Sequence, residues 1–107
     1  MSPPSKTRST ALAATDEDVR DVETFLRRFP ELAHLRVRRR AALLTLESGD
    51  PSNPLPHARL RRLATKVWQL EMANHMGRWQ PTPFHGPRDE ILGVLVGNFG
   101  WTLVERI

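Results

Sequence analysis

Cysteine is absent from this chain of 107 residues, which removes both a disulfide framework and a thiolate metal site and is compatible with a reducing compartment. No apolar run approaches the roughly 20 residues that a membrane-spanning helix needs, and the N-terminus lacks the apolar stretch of a signal peptide. A soluble, cytoplasmic protein is the expectation. Large apolar side chains are also scarce, with three tryptophans and four phenylalanines. The core must therefore draw heavily on Lys66–Val104, which holds every tryptophan and two of the phenylalanines. The length leaves room for one domain and makes a second one implausible.

What the chain does have is arginine. Of its 16 basic residues 14 are arginines, and the formal net charge is +4. Seven of them (Arg36, Arg38, Arg39, Arg40, Arg59, Arg61 and Arg62) fall between Arg36 and Arg62 against two acids, Glu47 and Asp50, a local charge of +5. Residues 16–31 carry six acids against three arginines, a local −3. The molecule is expected to be electrically polarised.

Residues 1–14 offer little to bury and read as a mobile tail, leaving a single domain over 15–107. The Arg/Ser bias of the tail faintly resembles a transit peptide, but a flexible terminus is preferred. Thr15-Asp16-Glu17-Asp18 has the form of a capping box, and Val19, Val22, Phe25, Leu26 and Phe29 follow at helical spacing up to Pro30. Between Leu32 and Glu47 helix and strand compete. Strands are preferred, because Leu35 and Val37 alternate with Arg36 and Arg38, and Leu44 and Leu46 with Thr45 and Glu47. Residues 38–41 would then form a turn without glycine, asparagine or proline, an awkward composition for one. Residues 48–56 read as a loop.

His57–Ala73 is rich in helix formers, yet a helix would align Glu71 and His75 with the apolar stripe and expel Leu70 and Met72. Two strands, Ala58–Leu63 and Val67–Met72, are narrowly preferred, with a break near Ala64-Thr65. Asn74–Gly77 supplies a turn, and Arg78-Trp79-Gln80 can return as a further strand. Pro81 and Pro83 require pairing to end or to reach a sheet edge at Thr82. Gly86-Pro87 followed by Arg88-Asp89-Glu90 marks a helix start, with Ile91, Leu92, Leu95, Val96 and Phe99 on one face. Gly100 is expected to end this helix in a left-handed conformation, and Trp101–Val104 suits a last strand. The fold class is therefore α+β: an N-terminal helix, an antiparallel meander-like sheet of four or five strands, a C-terminal helix and a short last strand.

The strings S-G-D at Ser48, P-H-A-R-L-R-R-L from Pro56, V-W-Q-L from Val67, G-R-W-Q-P-T-P-F from Gly77 and F-G-W-T-L from Phe99 resemble a group of small bacterial proteins of uncharacterised function. The likeness covers Leu35–Leu103 and is most specific over Gly77–Phe84. It implies an α+β meander and no activity. The group often carries glycine between the two arginine-rich strands and in the later break, where this chain has Ala41 and Ala64.

Three functions stay open. In the first, Arg36, Arg38 and Arg40 project from one strand and Arg59, Arg61 or Arg62 from a neighbouring one, making a grid of forked donors. With Arg39, this grid would suit phosphates and so nucleic acid. In the second, His75, His85 and Arg78 near the hairpin serve a small ribonuclease-type toxin by acid/base cleavage of RNA. In the third, the chain is a protein-interaction subunit whose acidic helix and basic sheet meet different partners, an acidic protein among them. The preferred reading is a non-enzymatic binding protein. No cofactor motif occurs, and the four histidines have no metal-ligand spacing. Trp68, Trp79, Trp101 and Phe84 are expected in the core rather than as base-stacking platforms. Gly93 and Gly97 are expected to allow close helix-to-sheet packing, with a self-association face as the minority reading.

Overall fold

The structure is a computed structural model that describes residues 13–74, 76, 78–100 and 103. It contains helix α1 (Asp16–Leu26), a 3₁₀ turn (Pro30–Leu32), strands β1 (Arg36–Arg40), β2 (Leu43–Ser48), β3 (Leu55–Ala64), β4 (Val67–Ala73) and β5 (Trp79–Gly86), and helix α2 (Arg88–Phe99). The strands form one antiparallel meander in the order β1-β2-β3-β4-β5. This is the α+β architecture expected. Among the described residues no helix is long and apolar enough to cross a membrane.

The capping box sets the start of α1. Thr15 Oγ1 accepts from the Asp18 N–H at 3.1 Å, and the Asp18 carboxylate accepts from the Thr15 N–H at 2.9 Å. Val22 and Leu26 bury the inner face of the helix. It stops three residues before Phe29, short of the apolar stripe. Arg28 and Phe29 already bond three residues back rather than four, and Phe29 is extended, with φ −120° and ψ 102°, as a residue before proline prefers.

Period-two alternation then sorts the sheet. Leu44, Leu46, Leu60 and Leu70 are fully buried and Trp68 nearly so, on the face that receives Val22 and Leu26 from α1 and Ile91, Leu92 and Leu95 from α2. Trp68 and Phe84 join this core as expected, Phe84 edge-on to Phe99 at 6.1 Å. Arg88 ties the two helices together, one Nη on Asp18 and the other on Asp21 at 2.8 Å.

The turns explain several departures from the sequence expectations. Ala41 closes β1 to β2 with φ 51°, the left-handed region in which glycine is least strained. Leu63 is the extra residue of a bulge before the Thr65-Lys66 turn. β5 runs past Pro81 and Pro83 because it is the sheet edge. Side chains bridge the irregular register there, Thr82 Oγ1 donating to Leu70 O at 2.9 Å and Gln69 Nε2 to Thr82 O at 3.1 Å.

Four expectations are corrected. Ala14, assigned to the tail, is buried, and its N–H bonds Ala41 O at 2.8 Å; residues 1–12 lie outside the described residues. β3 begins at Leu55, so the preceding loop is shorter than 48–56. Gly100 ends α2 with φ −55°, in the right-handed region. Among the described residues nothing lies within 4 Å of a Cβ built on Gly93 or Gly97, so neither serves close packing on the sheet. The last strand proposed for Trp101–Val104 falls outside the described residues except for Leu103, a buried turn residue whose N–H bonds Gly100 O.

Candidate nucleic-acid interface

The second face of the sheet carries no helix among the described residues, and strand alternation turns charge onto it. Cross-strand register builds two rows. Arg38, Thr45, Arg59, Glu71 and Pro81 form one; Arg40, Leu43, Arg61, Gln69 and His85 form the other. Arg36 stands opposite Glu47 at the end of β1.

Arginine strands β1 and β3 are not neighbours, contrary to the sequence expectation. The meander places β2 between them, so the two sets of arginines are about 9.5 Å apart at the backbone. Two of the seven arginines also point away. Arg39 alternates with Arg38 and Arg40 and lies on the helix side, its Nε on Asp16 at 3.1 Å. Arg62 alternates with Arg61, donates to Ala13 O and Thr65 O at 2.9 Å each, and packs over the Trp68 ring. Both fasten the N-terminal segment and the β3–β4 turn; they are structural.

Four of the remaining five arginines surround two buried carboxylates. Glu71 is 6% exposed and accepts from Nε of Arg59 and from Nε of Arg61, the latter at 2.9 Å. Burial pushes its carboxyl up, but the hydrogen bonds from Arg61 and Arg59 and their charges outweigh that and hold it below its ordinary value. Each guanidinium uses its Nε here, and the terminal Nη groups of both have no hydrogen-bond partner among the described residues. Glu47, 5% exposed, is held less tightly: Arg38 Nε stands 3.3 Å from one oxygen and Arg36 Nη2 3.9 Å from the other. Arg36 Nη1 donates to Gly49 O at 2.6 Å. Arg40 is exposed and has no ion-pair partner among the described residues. Five guanidiniums against two carboxylates leave this face with three positive charges in surplus.

Trp79 belongs to this face and not to the core, which corrects the expectation for it. It pairs with Ala73, on the same side of β4 as Glu71, and its half-buried ring lies 4.4 Å from the Arg59 guanidinium carbon. The turn that decides this is closed by Asn74, whose Oδ1 accepts from the N–H groups of Met76 and Arg78 at 2.9 Å each. Trp101 lies outside the described residues.

The histidine constellation fares differently. His75 lies outside the described residues. His85 is exposed, with Nδ1 3.2 Å from Pro83 O. It pairs with Gln69, while Trp79, next to Arg78, pairs with Ala73, which separates His85 from Trp79 by about 13 Å along β4. His85 and Arg78 therefore do not converge. The histidines that do meet are His34 and His57, ring centroids 6.3 Å apart. His57 Nε2 is 2.8 Å from Ser48 Oγ, and His34 Nε2 donates to Leu103 O at 2.7 Å. No sequence signal pairs them, because sheet topology alone brings residues 34 and 57 together. Among the described residues no group of three His, Cys, Asp or Glu could hold a metal ion. Two open clefts of about 260 and 340 Å³ flank Arg88 on the helix side, with Asp89 in both and other acids beside it. Comparison with known proteins adds no assignment: no family model, curated protein or solved structure matches the chain significantly.

Proposed function

We propose that the arginine-bearing face of the sheet binds the phosphate backbone of a nucleic acid. The observation that carries this reading is the way Glu71 holds Arg59 and Arg61 by their Nε groups. The buried carboxylate fixes both guanidinium planes, so little side-chain entropy is left to lose on binding, and the terminal donors, without a partner among the described residues, suit phosphate oxygens. Arg36, Arg38 and Arg40 extend the positive surface across β1. No reactive group is part of the proposal; the role is binding.

The test is fluorescence anisotropy of labelled oligonucleotides over a salt series. If phosphates match the three surplus charges, log K should fall against log salt with a slope of about −2 on a single strand, since each neutralised phosphate contributes about 0.7. Arg40→Ala should flatten that slope by about 0.7 and leave folding unchanged, because an exposed, unpaired charge contributes little to stability. Absence of binding at low salt, where attraction is least screened, would refute the reading and leave an acidic protein as the partner to seek.

A further inference from the structure

Resting on the nucleic-acid reading, we infer that the strand bound is single and that Trp79 is its base-stacking platform. A phosphate-only surface needs no aromatic ring, and a sheet needs none on its wet side. Yet one of the chain's three tryptophans lies on this face, beside the arginines, while Trp68 fills the core.

Its position suits a base. β5 is an edge strand, and among the described residues no further strand stands beyond Trp79. The residue across from it, Ala73, offers only a methyl group. On the inner side the Arg59 guanidinium is stacked over one face of the ring, which holds the indole in place and leaves a base to stack on its other face, as every base can with its π-face. Arg59 belongs to both halves of the site. Its Nε is committed to Glu71, its plane supports Trp79, and its terminal donors reach for phosphate. A base on Trp79 and its own phosphate at Arg59 fit within one nucleotide, because that guanidinium lies 4.4 Å from the ring, while Arg61, whose row is about 13 Å from that of Trp79 along the strands, is placed for the phosphate of a neighbouring nucleotide. In a duplex the bases are already stacked on each other and cannot use such a platform without being unpaired. Selectivity for single strands follows without any contact to a base edge, so tolerance of sequence is expected as well.

The experiment compares a short oligothymidylate, a short oligouridylate, a duplex of equal length and inorganic polyphosphate on the full chain. Either single strand should bind more tightly than the duplex and quench tryptophan fluorescence; the quench should be absent with polyphosphate and lost in Trp79→Leu. That variant should bind single strands about tenfold or more weakly with an unchanged salt slope, since no charge is removed, and with undiminished affinity for polyphosphate. Trp79→Phe keeps a ring and should recover most of the lost affinity, which separates stacking from misfolding. The inference is overturned if the duplex binds as tightly as the single strands, or if Trp79→Leu weakens polyphosphate and oligothymidylate equally while the fold is retained. In those cases phosphate binding itself stands. If none of the four ligands binds at low salt, the nucleic-acid reading falls and takes the inference with it.

Discussion

Replacing Glu71 by glutamine keeps the shape of the side chain and removes the charge that organises the sheet face. Glu71 is 6% exposed and accepts a charged hydrogen bond from each of two guanidiniums. Hydrogen bonds to charged groups contribute about 1.5 to 3 kcal/mol each. The amide of Glu71→Gln can still accept from one arginine but turns its NH₂ toward the other, so one bond is lost and the survivor weakens. The arginines recover part of this by hydration, since their side chains are 17% and 39% exposed. A net loss of about 2 kcal/mol at neutral pH is expected, roughly 10 °C in melting temperature for a domain of this size. The pH dependence makes the test specific. Folding lowers the Glu71 pKa from about 4.5, so the contribution of the carboxylate is complete above that value and disappears as pH falls through the lower, folded pKa. Urea unfolding of both proteins, followed by circular dichroism and by the fluorescence of buried Trp68, should give a gap that narrows toward zero in acid. Other carboxylates titrate in the same range, but they cancel in the difference between the two proteins. A gap below 0.5 kcal/mol at neutral pH, or one that persists unchanged in acid, would refute the account of Glu71.

Ala41→Gly should stabilise the fold by about 0.5 to 1 kcal/mol, because relief of a left-handed alanine exceeds the added freedom of the unfolded chain; a lower urea midpoint for the variant would contradict the turn geometry. Gly93→Ala with Gly97→Ala should stabilise α2 by about 1.5 kcal/mol together, since both sit in the helix with no described residue within 4 Å of an added Cβ. A destabilised double variant would mean that something packs on that face.

How far the sequence discloses this fold depends on the range of the interaction involved. The Thr15–Asp18 capping box acts within one turn, and it is legible in four letters. Residues 57–73 are harder. Their arginines, alanines and leucines favour a helix locally, yet the period-two placement of Leu60, Trp68, Leu70 and Met72 prevails, because a long-range core outweighs the few tenths of a kcal/mol per residue of propensity. The alternation that placed Arg38 and Arg40 together also placed Arg39 on the opposite side, so its exclusion from the site could have been read from parity. Trp79 could not. Its face depends on the number of residues in the turn after Ala73, where one residue more would have sent it into the core. Strand order was equally hidden, since nothing local says that β2 must lie between the two arginine strands.

That interposed strand explains why so much arginine is tolerated on one face. Along the sheet the outward residues alternate in character: arginines on β1, Thr45 and Glu47 on β2, arginines on β3, Gln69 and Glu71 on β4. Like charges directly across a strand pair are destabilising and opposite ones stabilising, so a meander that interleaves basic and acidic strands keeps every arginine of β1 and β3 away from a basic cross-strand neighbour. The same interleaving guards the register. A slip of one residue would drive Arg38 and Arg59 into the core, whereas a slip of two would keep them outside but remove each from the carboxylate that receives it. Compensation is nevertheless partial, with two glutamates for five arginines. If stability alone had shaped this face, a third acid opposite Arg40, where Leu43 stands, would be the economical choice. The uncompensated charge is thus spread over the face, one arginine in excess at each of Glu47 and Glu71, and Arg40 with no acid across from it.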